Sequence, residues 1–374
     1  MHTSPLHLDA SKGRNGCHAS PNLPSLYTSH IYAYLRTIGD IGGHFSVCGN
    51  SQTPGFCAKP FAKNISSAKA TLDVDMDIKQ LNDHLGIPGV LRFEEHNGLA
   101  CAIVTSPAAS AAIYLQGAHL AHWQPTGQQP VLFMSRKSDF APGKPIRGGV
   151  PIAFPWFATD SKPDRYQGKP GPAHGFARIQ DWTPSFAALA GDDLHITFTL
   201  APSELSRQMG FDHFRVAFEL TIGRSLTMRL AVANDADMPL IFEEALHTYF
   251  AVADVHEISV TGLEPTSYID KTDNFKVKPA ANAPLTFTGF TDRVYPHTTA
   301  TCTIDDLLGK RNITVEKKNS NTTVVFNPWR ELPDMGPDEW HEMICVETVN
   351  AGANTITLAP KATHVMEAHI TVGR

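Results

Sequence analysis

Phe214, Val216, Phe218, Leu220 and Ile222 alternate with polar or small residues, Gly223-Arg224-Ser225 follow, and Leu226, Met228, Leu230 and Val232 alternate again. A period of two on each side of a short polar turn predicts a β-hairpin with one buried face. Similar runs at 195–200, 256–263, 322–326, 341–349 and 364–372 predict further strands, with few intervening segments long enough for helices. The apolar spacing of three and four in residues 77–86, closed by Gly86, predicts one short helix. So many short strands in one chain point to an all-β fold, a large antiparallel β-sandwich with few short helices. No internal repeat divides this pattern, so residues 71–374 are expected to form a single domain.

The pattern fails in residues 1–70. Ser, Pro, Gly and His are frequent there, apolar runs are short, and six Lys/Arg face only Asp9 and Asp40, against 25 basic and 35 acidic residues in the rest of the chain. This composition predicts a poorly ordered N-terminal extension. An organellar transit peptide is the alternative, opposed by the few basic residues of the first fifty: Lys12, Arg14 and Arg36.

The whole chain has 374 residues, 42% of them hydrophobic, and a formal net charge of −6. No run approaches the roughly 18 consecutive apolar residues of a bilayer-spanning helix, so no membrane partner is expected. An acidic balance argues against general nucleic-acid binding, which needs clustered Lys and Arg. Cys17, Cys48, Cys57, Cys101, Cys302 and Cys345 are scattered without a CxxC pair. That usage suits a reducing compartment, here the cytoplasm, and offers no thiolate zinc site of ordinary spacing. His119 and His122, three apart on a predicted strand, point to opposite faces and make a poor metal pair.

Candidate chemistry lies where polar residues interrupt apolar faces. In FEEALHTYFAV, residues 242–252, strand alternation puts His247 on one face with Glu243, Ala245, Tyr249 and Ala251. A semi-buried histidine beside aromatic surface can titrate near neutrality, although a satisfied structural histidine fits the same spacing. In HEMICVETVN, residues 341–350, Glu347 falls among apolar neighbours whichever face is buried. A carboxylate there must be paired, protonated or open to a cavity. A salt bridge across the sheet is one outcome; facing a histidine as an acid and base pair is another. Arg147-Gly148-Gly149-Val150-Pro151 leads into Phe154-Pro155-Trp156, and Ala173-His174-Gly175-Phe176-Ala177-Arg178 follows. Glycines allow close backbone approach, and an arginine can grip an oxyanion at two points, so this acidic protein can hold a phosphate locally. Phe154, Trp156 and Phe176 offer either a wall for a sugar ring or packing beneath a loop.

Taken together, RGGVPIAFPWF, AHGFARIQDW, EALHTYFAV, DRVY at 292–295, FNPW at 326–329 and CVETVNA resemble the glucose-6-phosphate 1-epimerases, or hexose-6-phosphate mutarotases, of the galactose mutarotase-like superfamily. The resemblance runs from about Leu81, through GIPGVLRF and LQGAHLAHWQP, to the C-terminal strands. It implies a β-supersandwich and an isomerase that exchanges the α and β anomers of a hexose 6-phosphate, glucose 6-phosphate first, by ring opening and reclosure. It implies His247 as general acid and Glu347 as general base. It implies Arg147, Arg178, Asp292 and His174 as substrate contacts, the arginines at the phosphate, Asp292 at a sugar hydroxyl and His174 orienting the ring. No cofactor or metal is implied, and the expected partner is a small sugar phosphate bound by a monomer. Many members have Gln before the His-Gly pair where this chain has Ala173, so one substrate hydrogen bond is expected to be missing. Two rival readings remain: a mutarotase of free aldohexoses, and a carbohydrate-binding sandwich without turnover.

Overall fold

Alternation accounts for most of the architecture. A computed structural model describes residues 76–374; the expected N-terminal extension, residues 1–70, lies outside the described residues. One eight-stranded antiparallel sheet runs in the order Ile258–Thr261, Cys302–Asp306, Arg311–Lys318, Thr363–Gly373, Leu226–Asn234, Phe214–Ile222, Asp193–Leu200, Thr183–Ala190. At its centre is the predicted hairpin, with Phe214, Val216, Phe218, Leu220 and Ile222 all buried. Each such side chain contributes about 1.5–3 kcal/mol relative to exposure.

A second eight-stranded sheet packs against the first. Its main path is Lys276–Lys278, Tyr268–Asp270, Thr291–Pro296, Thr322–Asn327, Met343–Asn350, Glu244–Leu246 and Ile152–Ala153, and Tyr249–Ala251 also pairs with Met343–Asn350. Ile344, Val346, Leu246, Phe250 and Ile152 of this sheet join Phe198, Phe218, Leu230 and Ile370 of the first in one core. A four-stranded meander, Leu91–His96 through His119–Pro125, adds Phe93, Ile113 and Trp123 to it. The short helix is Ile78–Leu85. The Asp77 carboxylate accepts the Gln80 N–H at 2.8 Å and the Gln80 side chain accepts the Asp77 N–H at 3.0 Å, a capping box that satisfies two otherwise free donors.

Met343–Asn350 is buried along its whole length. Ile344 and Val346 face the main core, whereas Met343, Cys345 and Val349 face away from it, into small apolar clusters. Glu347 shares that outward side by alternation. The candidate chemistry therefore stands on the face of the second sheet turned away from the sandwich interior.

Three expected runs differ in extent. The strands begin at Ile258 and Met343, because His256 and His341 belong to the 3-10 turns Val255–Glu257 and Glu339–Glu342. There their rings gather with Trp329 and Trp340. The run 242–252 is a broken strand rather than a continuous one. Glu244–Leu246 and Tyr249–Ala251 pair with the same neighbour in one unbroken register, Leu246 opposite Thr348 and Tyr249 opposite Cys345. Between them the His247 N–H donates to the Pro151 carbonyl at 3.0 Å and the Thr248 N–H to Leu246 at 2.9 Å, which takes both out of the ladder.

Candidate active site

The register across that break brings His247 opposite Glu347. His247 Nε2 stands 3.5 Å from Glu347 Oε1, longer than a made hydrogen bond, and His247 Nδ1 and Glu347 Oε2 are buried without partners. The side chains are 12% and 1% exposed, so both groups are nearly dry. Burial, followed by the charges of His174, Arg147 and Arg178, holds His247 well below the ordinary histidine range. Burial, followed by the Asp292 charge, raises Glu347 well above the carboxylate range, and Lys271 opposes this. Both shifts favour the neutral forms, so between them the two groups tend to hold one proton.

Arg147 owes its position to the glycines after it. A Cβ on Gly148 would lie 2.5 Å from the Phe133 carbonyl oxygen, and one on Gly149 2.4 Å from that of Leu120; both residues have positive φ. Only glycine lets this segment thread so close to its neighbours. Arg147 Nη1 donates to the Tyr249 hydroxyl at 2.8 Å and Nη2 pairs with Asp334 at 3.0 Å, while Nε is buried and unpartnered. Burial works against its charge, but Tyr249 and Asp334 outweigh this and raise its pKa. Arg178 lies in the turn Ala177–Ile179 and donates to the Ala173 carbonyl at 2.7 Å. It has no carboxylate within salt-bridge distance among the described residues, and its Nε is also unpartnered. Burial, with a contribution from Arg147, pushes it down to about 10, so it remains a cation at neutral pH.

His174 has φ +61° and precedes Gly175, where a Cβ would sit 2.0 Å from the Phe154 carbonyl oxygen. Its ring centroid is 5.2 Å from that of His247 in an edge-on arrangement. Burial pushes His174 down to about 3, with Arg178, Lys271 and Arg147 adding to this. Its Nδ1 accepts the Ala158 N–H at 3.3 Å, so the neutral ring carries its proton on Nε2 as a donor. Asp292 Oδ2 pairs with Lys271 at 2.8 Å, and its Oδ1 is buried and unpartnered. The six expected site residues are thus linked through contact or electrostatic influence. The expectation of a sugar wall from Phe154, Trp156 and Phe176 gives way to packing: all three are buried in the main core. Phe157 instead faces the two histidines, 5.0 Å from His174 and 6.4 Å from His247.

Three residues escaped the sequence reading. Tyr249 stacks on His247 at 5.0 Å and 11° while its hydroxyl accepts from Arg147; its place two residues from His247 on one face was the available signal. Asp334 and Lys271 come from loops and turns, where no periodicity predicts direction. His247, Cys345 and Glu347 have ligand atoms within 4.8 Å of one another, the one set among the described residues with metal-like spacing. Burial raises the pKa values of Cys345 and Glu347, which works against the deprotonated forms a metal needs, and the neighbouring Arg147 and Lys271 cations oppose a divalent ion. His119 is buried with Nε2 unpartnered, whereas His122 meets Ser110 at 3.2 Å; they share no site.

Residues 102–371 match the aldose 1-epimerase family model. The chain belongs to the aldose 1-epimerase family. Among its relatives, a "putative glucose-6-phosphate 1-epimerase" of Escherichia coli (strain K12) is 33% identical over 285 residues, 75% of this chain and 93% of that protein. Another protein so named, from Cenchrus ciliaris, is 31% identical over 67% of this chain and 77% of its own length. The crystal structure of a "putative mutarotase" from Salmonella typhimurium matches with a TM-score of 0.71 at 30% identity, covering 78% of this chain and 96% of that one. A galactose mutarotase-like protein from Clostridium acetobutylicum, at 13% identity and a TM-score of 0.57, shares the fold. This epimerase-family sandwich carries its dry histidine–carboxylate pair beside two arginines and an aspartate, an arrangement able to move one proton on and another off a small polar ligand.

Proposed function

We propose that the chain interconverts the α and β anomers of hexose 6-phosphates, glucose 6-phosphate foremost, by acid and base ring opening. The observation that carries this is the 3.5 Å approach of His247 to Glu347 in a buried site where Arg178 is a cation without a carboxylate partner among the described residues. Glu347 removes the anomeric hydroxyl proton as His247 donates to the ring oxygen. The C1–O5 bond breaks, the aldehyde turns about C1–C2, and closure on its other face reverses both transfers. Asp292 Oδ1 accepts from a sugar hydroxyl and His174 Nε2 donates to one.

The proton must sit on His247 when reaction begins, although burial favours it on Glu347. The substrate supplies the correction. A phosphate dianion between Arg147 and Arg178 offsets two of the charges that depress His247 and so favours the proton on the imidazole, while burial, the larger cause, still opposes it. The distant phosphate thereby supplies binding energy and shifts the pair toward the protonation state that catalysis needs. Ala173 offers Arg178 its carbonyl and has no side-chain amide to offer the sugar ring.

Exchange NMR on glucose 6-phosphate and glucose side by side tests the reading. Fast exchange of the phosphosugar is expected, with Arg178→Met lowering its kcat/KM by about 10–100-fold, the worth of a charge-assisted hydrogen bond, while glucose is little affected. Equal rates on both sugars would favour a free-aldohexose mutarotase, and tight binding without exchange a binding protein.

A further inference from the structure

Two ion pairs stand in the site: Arg147 with Asp334, and Lys271 with Asp292. Lys271 opens the 3-10 turn Lys271–Asp273, which Asp270 caps by accepting the Thr272 N–H at 3.0 Å and its hydroxyl at 2.6 Å. This turn follows the strand Tyr268–Asp270, which pairs with Thr291–Pro296, the strand that carries Asp292. The Lys271 side chain is only 25% exposed and reaches Asp292 Oδ2 at 2.8 Å, and the other oxygen, Oδ1, is buried without a partner.

We propose that Lys271 is a positioning residue of this site: by occupying one oxygen of Asp292 it fixes the other as an acceptor for a sugar hydroxyl, and it offsets the Asp292 charge beside Glu347. The inference rests on the anomerase reading for its sugar but not for its electrostatics. Glu347 is faced by His247 from the adjacent strand, by Cys345 and Tyr249 beside it, and by the charges of Asp292, on the strand beyond Thr322–Asn327, and of Lys271 in its turn. Of these, Asp292 raises its proton affinity and Lys271 lowers it. Without Lys271, the Asp292 charge would act on Glu347 with no lysine to offset it. No proton or bond is transferred to Lys271; its action is on the orientation of one carboxylate and the charge of another.

The test uses full-length Lys271→Met, Lys271→Arg, Asp292→Asn and the Met/Asn double variant. In ligand-free protein, carbon-13 NMR of labelled glutamate carboxyls follows the Glu347 titration, whose midpoint is expected to rise in Lys271→Met and return toward wild type in Lys271→Arg. In exchange kinetics, Lys271→Met is expected to raise KM for glucose 6-phosphate about tenfold and move the acidic limb of the pH profile upward. The double variant should be no worse in KM than Asp292→Asn, because the lysine acts through that carboxylate. An unchanged Glu347 midpoint, or KM losses that simply add, would overturn the inference. A wild-type chain that leaves anomers alone while the Glu347 midpoint still moves in Lys271→Met would end the proposed function and leave the electrostatic role standing.

Discussion

Tyr249 joins the catalytic pair to the arginine, its ring on His247 and its hydroxyl on the Arg147 guanidinium. Replacing it by Phe keeps the stacked ring and removes the acceptor from a partly buried cation. A hydrogen bond to a charged group is worth about 1.5–3 kcal/mol, so Tyr249→Phe is expected to raise KM for glucose 6-phosphate by at least about tenfold with little change in kcat. Initial-rate measurements of anomer exchange separate the two. The catalytic pair should respond in the opposite way: His247→Ala and Glu347→Gln each lose about 10²–10⁴-fold in kcat with modest change in KM. Full exchange by either variant would remove it from the mechanism. Because the pair works with one proton, kcat should fall on the acid side as it gains a second and on the alkaline side as it loses the last. The midpoints of those limbs belong to the pair rather than to either residue.

At the scale of elements, the segment 328–342 delivers Asp334 to Arg147, and two side chains hold it in place. Asn327 donates to the carbonyls of Trp340 and Met343 at 2.8 Å each and accepts the Trp329 N–H at 2.8 Å, which gives the FNPW motif a structural use. Glu339, fully buried, accepts the Ser135 hydroxyl and the Arg136 N–H, each at 2.8 Å, as well as the Gly336 N–H. Burial alone would raise its pKa, but these donors and the Arg136 guanidinium at 2.9 Å win and hold it below the carboxylate value of 4.5. The folded state therefore binds this proton less readily than the unfolded chain. Its stabilisation is complete above about pH 4.5 and is lost as pH falls through the lower folded value. Glu339→Gln is expected to lower stability at neutral pH and to flatten the acid limb of the stability curve. Denaturant titrations at a series of pH values measure both, and a parallel loss at every pH would refute the charge argument.

For the molecule as a whole, the main core draws on residues from Leu81 to Ile370, and the family match spans 102–371. All the site residues lie within this range. A chain beginning at Leu72 is therefore expected to exchange anomers at the full-length rate and to unfold at the same denaturant midpoint. A loss of more than about threefold in rate, well beyond the effect of an uninvolved segment, would assign the N-terminal residues a part in the site or its support.

The sequence by itself determined the sandwich, because side chains on a strand alternate with period two and Phe214–Ile222 obeys that period residue by residue, as does the first half of Leu226–Asn234. It also exposed Glu347, since a carboxylate within an apolar strand needs a reason, and it singled out the two arginines of the glycine-containing segments 147–151 and 173–178. The tertiary structure decided that His247, exactly one hundred positions earlier in the chain than Glu347, would meet it. That meeting depends on one antiparallel register, held on both sides of a break that local preference does not encode. Asp334 and Lys271 were beyond sequence reading for the same reason: irregular segments aim their side chains by the hydrogen bonds they find after folding, such as those of Glu339 and Asp270. The buried fates of Phe154 and Phe176 were likewise set by neighbours far along the chain, notably Phe214 and Phe242, which only the packed core brings within reach.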